Sequence, residues 1–121
     1  MAKNMTNAMY DGGLTKMNTC TRVTVLSGEP TTMADITTNM KLATVAMTSG
    51  TDYTLAAGDV SGRKSTTAAK SSVSITASGT ATHVAIDDGT DWIVTTCTSQ
   101  ALTSGGTVTI PAWKREINAA T

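Results

Sequence analysis

From Arg22 onward the chain alternates apolar and polar residues in short runs, broken by Gly, Pro, Asp and Ser. Val73, Ile75 and Ala77 fall on one face of such a run, as do Val84 and Ile86, and Val108, Ile110 and Ala112. A period of two is the mark of a half-buried antiparallel strand. The pattern predicts strands from Arg22 to Ser27, Lys41 to Thr48, Tyr53 to Leu55, Arg63 to Ala69, Ser71 to Ala77, Thr80 to Ile86, Asp91 to Thr98 and Gly106 to Ile117. Turn residues separate them, and Asp88-Gly89 predicts a hairpin of type I′, which needs positive φ at both central positions. Pro111 lies inside the last run, so that strand is expected at an edge or with a bulge. About eight short strands at this spacing predict an all-β fold: a two-sheet antiparallel β-sandwich or jelly roll.

Two segments break the alternation. Met5, Met9 and Met17 recur near a helical period over residues 5–18, with Thr6 as a cap and Gly12-Gly13 as a weak point. The segment reads equally as a short helix or as an arm ordered by a partner. Thr31 to Ile36 reads as one helical turn after Pro30, capped by a threonine. The chain therefore divides into an N-terminal helix or arm, residues 1–20, and a β domain, residues 21–121.

Composition sharpens this picture. Of 121 residues, 26 are threonine and none is phenylalanine. Threonine is β-branched and fits a pleated surface. The core must be assembled from Val, Ile, Leu, Met and Ala, with Trp92, Trp113, Tyr10 and Tyr53. Such a lean core favours self-association, as a homodimer or homotrimer. Nine Lys and Arg balance nine Asp and Glu. Without a basic face, nucleic acid is not an expected partner. No apolar run approaches the length of a membrane span. The first residues show no apolar leader pattern, so synthesis and folding in the cytoplasm are expected. Cys20 and Cys97 are expected to stay unpaired.

Candidate chemistry is sparse. His83 is the single histidine and alternates with Val84, so it is expected to face outward. Asp87, Asp88 and Asp91 gather at one hairpin, where weak calcium binding competes with plain turn-making. Gly58 to Lys64 lacks the spacing of a phosphate loop. No nucleophile elbow or triad pattern occurs. No catalytic residue, cofactor or metal is expected. Trp92 is expected in the core; Trp113, followed by Lys114 and Arg115, suits either core or interface.

Three stretches carry a resemblance: Gly58-Asp59-Val60-Ser61-Gly62-Arg63, Ala77-Ser78-Gly79-Thr80-Ala81-Thr82-His83-Val84-Ala85-Ile86-Asp87-Asp88-Gly89, and Gln100-Ala101-Leu102-Thr103-Ser104-Gly105-Gly106-Thr107. With Ala8-Met9-Tyr10-Asp11 and Glu29-Pro30-Thr31-Thr32 they resemble, across most of the chain, small virion proteins of tailed bacteriophages. The resemblance implies head decoration, or cement: a non-enzymatic protein on the capsid surface of the virion that clamps subunits of the major capsid protein. The expected contacts are Met5, Met9 and Tyr10 at one end and Trp113, Lys114 and Arg115 at the other. The alternative is a phage tail or fibre module, or a carbohydrate-binding β-sandwich, although glycan sites usually display more aromatic surface than four such residues provide.

Overall fold

A computed structural model describes residues 12, 14–49 and 51–117. They form β1 (Arg22–Leu26), β2 (Lys41–Ala46), β3 (Tyr53–Ala57), β4 (Arg63–Thr67), β5 (Lys70–Ser74), β6 (Gly79–Asp87), β7 (Trp92–Leu102), β8 (Thr107–Ile110) and β9 (Lys114–Ile117). All pairings are antiparallel, in sheets ordered β2-β1-β6-β7, β3-β4-β9 and β5-β8. The fold is thus all-β and sandwich-like, as the alternation predicts. The main core joins all three sheets: Val23, Val25, Val84 and Ile86 from the first meet Tyr53, Val73 and Ile110 from the others, with Ile75 just after β5. An isolated bridge from Ala43 to Ile75 ties β2 to the chain just after β5.

Three predictions of detail are corrected. The single strand expected from Gly106 to Ile117 is two strands in different sheets. Pro111 offers no amide to a ladder, and the chain turns there from β8 to β9. The β6–β7 hairpin exists, but it is not type I′: Gly89 has φ 95° while Asp88 is not among the residues with positive φ. Instead the Asp88 carboxylate accepts the amides of Thr90 and Asp91 at 2.9 and 2.8 Å, and the Asp88 amide donates to the Asp91 carbonyl at 3.1 Å. An aspartate that closes its own turn does not need the left-handed conformation. Trp92, expected to be buried in the core, is only half-buried, and it packs against a second, smaller core cluster on the opposite face of the first sheet.

That second cluster centres on Leu26, Ile36 and Ala85. It exists because the segment after Pro30 folds back over β1 and β6. The predicted capped turn is present and continues into a π-helix, Asp35–Asn39. Thr32 Oγ1 accepts the Asp35 amide, and Asp35 Oδ2 accepts the amides of Thr32 and Thr31, at 3.0–3.3 Å. This is a reciprocal capping arrangement. Asn39 Nδ2 donates to Asp35 Oδ1 at 3.0 Å. These donors, Asn39 first, pull the Asp35 carboxyl down to about 2.

A lowered carboxyl stabilises the fold fully above its ordinary value of 3.8 and loses that contribution as pH falls through about 2. The urea midpoint is therefore expected to fall over this window. In an Asp35→Asn variant the fall is shallower, because one carboxylate has left the linkage. An unchanged acid profile in that variant would contradict the assignment.

At the N-terminal side, Gly12 and residues 14–17 are helical. Leu14 and Met17 enter the main core. Asn18 Oδ1 accepts the hydroxyl of fully buried Ser65 at 2.5 Å, and Cys20 O accepts the Tyr53 hydroxyl at 2.9 Å. Burial raises the Tyr53 hydroxyl and pushes the Cys20 thiol up to about 11.

Candidate interaction surface

The loop between β3 and β4 is closed by its own glycines. The Gly58 amide donates to the Gly62 carbonyl at 3.0 Å, and Gly62 has φ 70°. A Cβ on Gly58 would lie 2.0 Å from the Ser61 carbonyl oxygen, so only glycine fits. Asp59 is the hub of the loop. Its Oδ1 accepts Lys64 Nζ at 2.6 Å, its Oδ2 pairs with Lys114, and its amide donates to Glu116 Oε1. Lys64 lies on β4, and Lys114 and Glu116 on β9, so one carboxylate ties the loop to two strands. Ion pairs this exposed add little stability each. Their effect is to hold shape. At the tip, Val60 is 85% exposed, the one large apolar side chain so placed among the described residues.

Lys114 and Arg115 begin β9, and Trp113 precedes it at the end of the strand away from the loop. Trp113 is half-buried against the main core. Its amide donates to Thr67 Oγ1 at 3.1 Å, and its carbonyl accepts the Thr67 amide at 2.7 Å. Lys114 is committed to Asp59. Arg115 is exposed, opposite Ser65 in the β4–β9 register. The predicted contacts Met5, Met9 and Tyr10 lie outside the described residues. Val60 was missed in the sequence because the segment reads as a plain loop. The available signal was an apolar residue between Asp59 and Ser61 in a segment bracketed by Gly58 and Gly62.

The hairpin carboxylates are occupied by protein groups. Asp87 is fully buried, and Arg22, its direct neighbour across β1–β6, grips it with Nε–Oδ1 at 2.8 Å and Nη2–Oδ2 at 2.6 Å. This fork raises the Arg22 guanidinium further above its ordinary value. Lys16 Nζ lies 2.7 Å from Asp88 and 3.5 Å from Asp91, pinning the helical turn to the hairpin. The Asp91 amide, then Lys16, hold the Asp88 carboxyl well below the usual carboxylate range. Among the described residues no group of three or more His, Cys, Asp or Glu is placed to hold a metal ion. His83 is half-buried, its Nδ1 2.8 Å from Thr82 Oγ1.

An apolar cleft runs under β7. One part, about 190 Å³, is lined by Val25, Ala81, Val84, Val108 and Ile110, with Cys97 and Gln100. A second part, about 90 Å³, shares Val84, Cys97, Ile110 and Pro111 and reaches Trp113. Its cause is legible in β7. Thr95 and Gln100 stand opposite core residues Val84 and Ala81, where a closed sandwich would carry larger apolar side chains. Between them the register shifts, with Cys97, Thr98 and Ser99 facing only Thr82. Cys97 is a free thiol, raised by partial burial; Cys20 is also free.

No protein-family model, curated protein or solved structure matches this chain.

Proposed function

We propose that the protein is a head decoration protein of a tailed bacteriophage, binding the outer surface of the assembled capsid and bridging subunits of the major capsid protein, with no enzymatic role. The observation that carries this reading is the braced Val60 loop, which is also the first stretch of the phage-protein resemblance. An apolar tip held rigid by ion pairs pays little ordering entropy on contact, which is what a docking knob requires. Many copies on one lattice make weak individual contacts sufficient. Trp92 and Trp113 are half-buried and Tyr53 is buried, so the described residues offer no exposed aromatic platform of the kind a glycan site uses.

The test is co-sedimentation of the purified protein with heads that lack it. The unmodified protein is expected to pellet with heads in saturable fashion. Val60→Lys, at a site where little packing is lost, is expected to weaken binding at least tenfold while the circular dichroism spectrum stays the same. Failure of the unmodified protein to bind heads, or immunolabelling confined to tails, would overturn the reading.

A further inference from the structure

The edges of the three sheets are not alike. Edge strands are normally blunted by charge, proline, shortness or cover, because their unpaired backbone groups recruit other strands. β2 begins at Lys41, and its neighbourhood is covered by the bridge from Ala43 to Ile75. β9 is Lys114-Arg115-Glu116-Ile117. β5 starts at Lys70 and is kinked at Ser72, where φ is 55°. β3 and β8 have five and four residues. β7 has eleven residues, Trp-Ile-Val-Thr-Thr-Cys-Thr-Ser-Gln-Ala-Leu, with no charged side chain and no proline. Its irregularity falls at Cys97 to Ser99, so Trp92 to Thr96 remains a regular run, rich in β-branched residues, in unbroken register with β6. Among the described residues nothing pairs with its outer side.

We propose that β7 is a homodimerisation edge: two copies of this chain pair their β7 strands antiparallel through Trp92–Thr96, about a two-fold axis, to make one continuous eight-stranded sheet. Three observations favour a second copy over a different partner. The run is neutral, so self-pairing brings no like charges together, whereas a charged partner segment would find no counter-charge on this edge. The residues are strong strand formers, and a two-fold pairing presents the same run to itself. The apolar cleft lies beneath this same edge. Pairing sets the cleft of one copy beside that of the other under the joined sheet, covering Pro111, which is exposed in a lone subunit, and Trp113, which is half-buried. The sandwich that β7 leaves open in one chain is closed by two.

This inference stands apart from head binding, because it uses β7 and not the Val60 loop. Analytical ultracentrifugation of the unmodified protein is expected to show a concentration-dependent dimer. Thr96→Lys puts a charge on this neutral edge, opposite Trp92 of the second copy, and is expected to raise the dimer dissociation constant at least tenfold. Thr54→Lys, at an exposed position of β3, is the control and leaves it unchanged. Amide hydrogen exchange of the unmodified protein gives a second readout that needs no variant: protection of Ile93 to Thr96 rises with protein concentration. A monomer at all accessible concentrations, a dimer indifferent to Thr96→Lys, or β7 protection that does not change with concentration overturns the proposal. The last outcome would assign the edge to an occupant from the same chain.

Discussion

Arg22→Met is expected to lower the free energy of unfolding by about 3 kcal/mol, the lower end of the cost of orphaning one partner of a buried ion pair. Asp87 is fully buried, and its two oxygens are held by the Arg22 fork and by the Gly89 amide at 3.1 Å. Without the guanidinium, a carboxylate remains in a place water does not reach, with one amide left to it. Its desolvation then goes uncompensated. The side chain of Arg22 is 33% exposed, which keeps the expectation at that lower end. At about 4 °C per kcal/mol for a domain of this size, thermal unfolding should move down by roughly 12 °C. Arg22→Lys should fall between the two, since a lysine keeps the charge but cannot make the bidentate contact. The check is calorimetry near neutral pH. A loss under about 1 kcal/mol would mean that solvent reaches the carboxylate after all.

The face of the first sheet on which this pair lies marks the limit of what the sequence makes legible. The positions of β1 and β6 that point into the main core, Val23, Val25, Val84 and Ile86, are found by alternation alone. The intervening positions, Thr24, Ala85 and Asp87, read as a solvent face because they are small or polar. All three are buried. Thr24 is accommodated by a contact with Thr44 Oγ1 at 3.1 Å, and Asp87 by Arg22. Alternation reports which side of a strand is more apolar; it cannot report that a distant segment covers the other side. Pro111 is a similar case. Its missing amide predicts an edge strand or a bulge, whereas the strand ends there, and the transfer of the chain to another sheet depends on where β4 presents its free edge. The Val60 loop is less legible still. Gly58, Asp59 and Gly62 signal a turn, whereas its bracing comes from Lys114 and Glu116, more than fifty residues away. The cleft under β7 is written in Thr95, Cys97 and Gln100, yet those residues read as ordinary strand until their opposite numbers, Val84 and Ala81, are known.

Ile36→Ala is expected to cost about 3 kcal/mol, within the range for removing a large buried aliphatic side chain. Ile36 is 0% exposed and is the main apolar side chain that the segment after Pro30 contributes to the second cluster. Its partners are Leu26 and Ala85, also at 0%, with Met33, Met40, Trp92 and Val94 at the margin. A cluster this small has few neighbours able to move into a cavity, so little of the loss is recovered by collapse. The short π-helix has weak intrinsic stability at five residues and depends on this contact. Its capping hydrogen bonds, through Asp35, Thr31 and Thr32, are exposed and cannot hold the segment down by themselves. The consequence reaches the ion pair. Met33 Sδ lies 4.0 Å from Arg22 Nη2, so lifting the segment uncovers the Arg22–Asp87 fork. The Ile36→Ala and Arg22→Met losses should therefore be less than additive in the double variant, because each removes part of what the other needs. Denaturant titration of the two single variants and the double variant measures this coupling. Strict additivity would show that the segment and the ion pair are independent, and that the second cluster acts only as a patch over the sheet.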